Sequence, residues 1–197
     1  KDTGARMVII EQDFMQEGAP QRIAEAALKE LGSVDILVNN AGGSRAFTLA
    51  STEAQWEEAM TLNFTRQRQL AHRLIDQMIA RKWGRIVNIT GKSEPEGING
   101  AFAAKAAMHS WAKGLPREVG KHGITVNCVC PGATDTPMMQ ATMAIDPSVK
   151  KMILKSMPGG RMGMPAEIAE AAVWLCSDRA SFVSGEAMLV DGGAVAR

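Results

Sequence analysis

The stretch "VDILVNNAGG", residues 34–43, decides the fold. Its first half is a short apolar run of the kind found in strands covered on both faces. Its second half is a glycine turn, and glycine at a strand's carboxyl end lets the backbone approach a ligand closely. The same rhythm repeats outward in both directions. Upstream, "ARMVIIEQ" (5–12) reads as a strand, and "PQRIAEAALKELG" (20–32) as a helix with Ile23, Ala26, Ala27, Leu28 and Leu31 on one helical period. Downstream, 51–82 is a long helical segment opened by a Ser/Thr cap with Glu in its first turn. "GRIVNIT" (84–90) is a strand, 99–120 an alanine-rich helix, and "GITVNCVCPG" (123–132) a further strand. Residues 135–163 read as short helices in a mobile lobe, 165–177 as a helix with Pro in its first turn, and 186–193 as a closing strand. Pro116 has no N–H for the carbonyl of Ala112, so the alanine-rich helix is expected to bend there. Strands alternating with helices predict an α/β fold with a doubly wound parallel sheet, organised as one domain over 1–197.

Composition narrows the function. The chain has 197 residues, 46% hydrophobic and 22% charged, with a formal net charge of +1. That balance gives no electrostatic reason to expect nucleic acid or an anionic membrane as partner. No run of about 18 apolar residues is present to span a bilayer. The basic groups at 66–68 and 81–82 read as solvated helix faces. Of three cysteines, Cys128 and Cys130 lie two apart on a strand and share one face. They read as small buried side chains, with no disulfide framework and no companion metal ligands nearby, in keeping with a reducing, cytoplasmic setting.

Three features cluster chemistry at strand ends. The first is the turn at 39–43. In the second, "VNCVCPGATDTPM", Pro131 and Gly132 break a strand where Thr134 and Thr136 offer hydroxyls, and the third is "DGG" at 191–193. In this order and spacing they point to one crevice along the carboxyl edge of the sheet. Met138, Met139, Met143, Met152 and Met157 suit either an adaptable apolar wall for a substrate or ordinary packing.

Together with Asn63 in "LNF", "RIVNIT", Lys105 and the block "GRMGMPAEIAEAAVWLCSDRASFVSGEAMLVDGG", these motifs give the chain a resemblance to the short-chain dehydrogenase/reductase family over its whole length. The resemblance implies a Rossmann-like three-layer α/β/α fold, an NAD or NADP cofactor, a small-molecule carbonyl or alcohol substrate, and a homodimer or homotetramer. It implies that Asp13 touches the adenine, and that Asn40, Ala41 and Gly42 line the adenosine ribose. Lys105 would hold the nicotinamide ribose, Pro131, Gly132 and Thr136 would border the nicotinamide, and Asn63 would keep a helix bend. The helix carrying Ala101, Ala104, Ala107 and Ala112, together with 51–82, would form the two-fold interface, with Trp56 and Trp111 as anchors.

Two departures from the family pattern stand out. The glycine-rich T-G-x-x-x-G-x-G turn and the first two strands of the family have no counterpart in 1–197. The strand at 5–12 would then lack a partner, and an upstream segment of about 50–70 residues is expected to supply it. The family's catalytic tyrosine position, four residues before Lys105, is Ala101, and the chain contains no tyrosine. The partner serine position is Gly91. Thr90 and Ser93 offer substitute hydroxyls, and Lys92, Glu94 and Glu96 lie on the following loop. His109 is one turn beyond Lys105 and reads as a surface or subunit-interface residue. Besides a redox enzyme with an atypical acid, a lyase, hydratase or isomerase on the same scaffold, or a silent cofactor-binding subunit, fits these residues.

Overall fold

Apolar runs at 36–39, 84–89, 124–131 and 187–190 pair as a sheet, in which 84–89 and 124–131 are buried at nearly every residue, as strands covered on both faces are, while 36–39 alternates exposed and buried. In the computed structural model, which describes residues 4–91 and 97–195, they form four parallel strands in the order β1 (Ile36–Asn39), β2 (Gly84–Ile89), β3 (Ile124–Pro131) and β4 (Ala187–Val190). The register sets Val38 beside Val87, Val87 beside Asn127, and Val129 beside Met188. A buried amide chain crosses three strands. Asn39 donates to Asn88 at 2.9 Å, and Asn88 donates to the Asn127 carbonyl at 3.2 Å. Asn127 in turn donates to Val183 O at 2.8 Å. Every one of these polar groups is buried and partnered, which removes the desolvation penalty an orphan amide would carry.

Helices cover the sheet on both sides. On one face, α1 (Ala19–Leu31), α3 (Arg66–Arg81) and α4 (Gly100–Gly114) pack Ala24, Leu70, Leu74, Met78, Met108 and Ala112 onto Leu37, Ile86, Val126, Cys128 and Cys130. On the other face, α8 (Pro165–Cys176) packs Ile168, Ala172 and Leu175 onto Val87 and Val129. Adjacent strand residues thus supply opposite cores, as the two-residue period requires. Cys128 and Cys130 share a face, as their spacing indicates. The layers are those of the three-layer α/β/α arrangement.

Several expectations are revised. Residues 4–12 form no strand, and Met7 and Ile9 are each 81% exposed. A strand is stable only when its backbone has a partner, and β1 is the edge of the described sheet. The long helical segment is α2 (Glu53–Met60), a π-helical turn (Thr61–Thr65) and α3. Thr52 caps α2 in a reciprocal box with Gln55. Ahead of Pro116 the alanine-rich helix is interrupted at Leu115, and α5 (Pro116–Val119) restarts with that proline at its first position. Lobe residues 137–156 form α6 (Pro137–Ile145) and α7 (Pro147–Ser156). Ala101, Ala104 and Ala112, read above as a surface for a second subunit, fill the chain's own interior at no more than 1% exposure. A small residue on a helix admits a close neighbour, and here the neighbours of α4 are α2 and the π-helical turn of the same chain. No helix among the described residues is long and apolar enough to cross a membrane.

Candidate active site at the carboxyl edge of the sheet

The turn after β1 is held by one asparagine. Asn63 lies in the π-helical turn and is 2% exposed. Its amide donates to Gly43 O at 3.0 Å and to Ala59 O at 2.9 Å, while its oxygen accepts from Gly43 N at 3.1 Å. A Cβ at Gly42 would lie 3.0 Å from that oxygen, so the turn closes against Asn63 only with glycine there. Gln67 adds a bond to Ala41 O at 2.5 Å. Asn40, Ala41 and Gly42 remain exposed on the rim. The π-helical turn is what lets Asn63 serve its own helix and the strand end together.

The amino end of α4 is tied to the same loop. Asn99 caps the helix by accepting from Ala101 N and Phe102 N, and its amide donates to Ser44 Oγ and Arg45 O. One turn into the helix, Lys105 Nζ donates to Thr90 O at 2.6 Å. Burial lowers the amine's pKa, against a weaker opposing pull from Cys130. Gly91 follows Thr90, and a Cβ there would stand 3.8 Å from Nζ. The backbone therefore passes the amine with no side chain between. Ala101 is buried at 1% exposure.

Thr90 turns its hydroxyl inward. Its Oγ is 2.8 Å from His109 Nε2, 3.1 Å from Val129 O and 3.3 Å from Cys130 Sγ, and Cys130 Sγ is 3.4 Å from the same imidazole nitrogen. All three residues are buried. His109 is thus an interior residue, in place of the surface or interface position expected for it. The same helical period that puts it beneath Lys105 carries it under the end of β2. Burial raises the Cys130 thiol's pKa, and a bond to Thr90 and the nearby Lys105 work the other way. No sequence signal names His109 and Cys130 as Thr90's partners, except that β3 turns both of its cysteines, two residues apart, toward the α4 side.

Past β3 the chain closes on β4. Gly132 N donates to Val190 O at 3.0 Å, and a Cβ at Gly132 would lie 2.7 Å from Asp191 Cα. Pro131 ends the strand, and Thr136 caps α6 by accepting from Met139 N. A cavity of about 140 Å³ opens beside this corner, lined by Ala133, Met157, Arg161, Glu167, Asp191 and Gly192 among others. Met157 is buried here, whereas Met138 and Met152 are exposed.

Thr90 and Lys105 are therefore in direct contact, Asn63 meets Gly42 and Gly43, and Gly132 meets Asp191. Asp13 stands apart in a local turn, where its carboxylate accepts from Met15 N. Ser93, Lys92, Glu94 and Glu96 lie outside the described residues. Among the described residues, no three His, Cys, Asp or Glu side chains gather to hold a metal.

Comparison with known proteins fits this geometry. The family model described as enoyl-(acyl carrier protein) reductase matches residues 1–195. The chain is 38% identical over 170 residues to the 3-oxoacyl-[acyl-carrier-protein] reductase FabG of Chlamydia trachomatis, covering 84% of this chain and 67% of that one. It is 37% identical over 168 residues to the acetoacetyl-CoA reductase of Cupriavidus necator, covering 83% and 67%. Among solved structures, a 7α-hydroxysteroid dehydrogenase complexed with NADH and 7-oxo glycochenodeoxycholic acid matches with a TM-score of 0.86 and 34% identity, over 94% of this chain and 73% of that one. With parallel strands, the Asn63 clamp and Lys105 in place, the chain belongs to the short-chain dehydrogenase/reductase family of oxidoreductases.

Proposed function

We propose that this chain works on a carbonyl/alcohol pair with NAD or NADP, and that Lys105 carries the proton chemistry that the family gives to a tyrosine. The observation behind this reading is the amine of Lys105, half-buried and held at 2.6 Å from Thr90 O beside a glycine. The nicotinamide cofactor, when bound, supplies or accepts the hydride. The residues present fit its ribose and nicotinamide end: Gly42 and Gly132 leave backbone close at two strand ends, and Lys105 presents N–H donors between them. Asn40, Ala41 and Gly42 would line the adenosine ribose, Asp13 the adenine, and Pro131, Gly132 and Thr136 the nicotinamide.

For the chain's own part, binding and orientation come first, because a hydride acceptor held in line gains most of its rate from position. The developing alkoxide then needs a proton. Burial makes the Lys105 ammonium a stronger acid than an ordinary lysine, and it is the group here whose proton can go to that oxygen. Thr90 acts through its carbonyl, which fixes the amine, while its hydroxyl anchors the strand end to His109. Ser93 would orient the carbonyl oxygen. The names of the relatives favour a 3-oxoacyl thioester as the substrate class; an assembly of two or four subunits in the cytoplasm is proposed from the family resemblance.

Ala101 favours a second reading, a silent cofactor-binding subunit or a non-redox enzyme on the same scaffold. Titration with NADH and NADPH, followed by turnover of acetoacetyl thioesters, separates the three. The redox reading expects binding and cofactor oxidation, with both weakened by Lys105→Ala. Binding without turnover makes the chain a silent subunit. Turnover without any change in reduced-nicotinamide absorbance makes it non-redox.

A further inference from the structure

With Ala101 and Gly91 where the family keeps its tyrosine and serine, neither position sets a polar side chain beside the lysine's nitrogen. Gly91 has no side chain, Ala101 is a methyl group, and among the described residues the amine's one bond is the donation to Thr90 O. A lysine that donates one N–H to a backbone carbonyl keeps its lone pair free once it is neutral, and that carbonyl fixes where the lone pair points.

We infer that Lys105 is an imine-forming nucleophile that captures small aldehydes and ketones in this crevice. The inference rests on reading the crevice as a carbonyl site. The neutral amine adds to the carbonyl carbon, forming the C–N bond as the C=O π pair moves to oxygen. Proton transfer from nitrogen to oxygen gives the carbinolamine, which loses water as the C=N bond forms. No oxidant or reductant is needed, and hydrolysis returns the amine. Burial, which lowers the amine's pKa, raises the neutral fraction near neutral pH. Acid catalysis by the ammonium and capture by the amine are then two sides of one equilibrium, with opposite dependence on pH.

The test is trapping with butyraldehyde and cyanoborohydride, without cofactor, read by peptide mass mapping. Lys113, the other lysine of α4, is exposed and serves as the internal reference. Lys105 should be alkylated severalfold faster than Lys113 near neutral pH, because burial leaves more of its amine neutral and its one bond is to a backbone carbonyl. The adduct should vanish in Lys105→Arg, persist in Lys113→Arg, and increase with pH while any reductase rate decreases. Equal labelling of the two lysines, or an unlabelled Lys105 in folded wild-type protein, overturns the inference. Because no nicotinamide is present, failure of the redox reading appears separately, as absent cofactor oxidation.

Discussion

Lys105, Thr90 and His109 form a short mechanical chain, with amine on carbonyl and hydroxyl on imidazole. Each half of Thr90 serves a different neighbour, so a change beneath the strand should reach the amine above it. His109→Leu leaves the Thr90 hydroxyl and the Cys130 thiol facing an apolar group. Thr90 keeps its bond to Val129 O, so we expect a loss of about 1 kcal/mol in urea unfolding, the usual size for one buried hydrogen bond. His109→Gln, which keeps a donor and an acceptor, should recover much of it. The glycine turns at the strand ends were readable from the residues themselves, whereas Lys105 and Asn63 were singled out through the family resemblance. The inward bonds of Thr90 were legible in neither way. They join residues 19 and 40 positions apart, and no local pattern in a serine-like or histidine residue says which distant strand it will meet.

Elements place the site by closing tightly at their ends. Gly132 packs its Cα against Asp191, where a Cβ would sit 2.7 Å from backbone that cannot swing aside. Gly132→Ala should therefore cost about 1–3 kcal/mol and part β3 from β4 at the cofactor edge. A fall in thermal midpoint together with weakened NADH or NADPH binding is the expected result. The start of α8 depends on charge. Glu167 accepts from Arg161 and, more weakly, from Met164 N, which together hold its pKa at about 2 from an ordinary 4.5. A carboxylate whose folded pKa is depressed stabilises the fold above its unfolded value and loses that contribution as pH falls toward the folded one. The midpoint difference between wild type and Glu167→Gln should thus be full above about pH 4.5 and close toward pH 2. Helix breaks, too, were partly legible. Pro116 announces an interruption through its missing N–H, and the bend at Asn63 was expected from the family resemblance, but its π-helical form at Thr61–Thr65 goes with a bond to the β1 loop that no local pattern shows.

At the scale of the molecule, the four parallel strands were legible because apolar runs of this length have few other ways to be buried. Residues 4–12 have the same composition and yet no strand, since pairing depends on a neighbour that a segment's own residues do not encode. The outward side chains of β1, Ile36 and Val38, are 44% and 45% exposed along that edge. Apolar exposure recurs at Val173 and Phe182 around α8. An assembly of two or four chains covering that end is expected in sedimentation at micromolar concentration, and Phe182→Asp should shift the distribution toward smaller species. A monomeric wild-type protein would count against it. The account as a whole turns on whether this scaffold still reduces carbonyls, with Lys105 in the acid role that a phenol would fill better. The most direct measurement is the rate at which Ala101→Tyr oxidises NADH or NADPH with an acetoacetyl thioester, compared with wild type, folding and cofactor affinity being checked alongside. A phenol one turn before Lys105 would have its pKa lowered by the ammonium and take over the acid role from it, raising the rate by up to about 10²–10⁴-fold. An unchanged rate in a folded, cofactor-binding Ala101→Tyr protein would contradict the account.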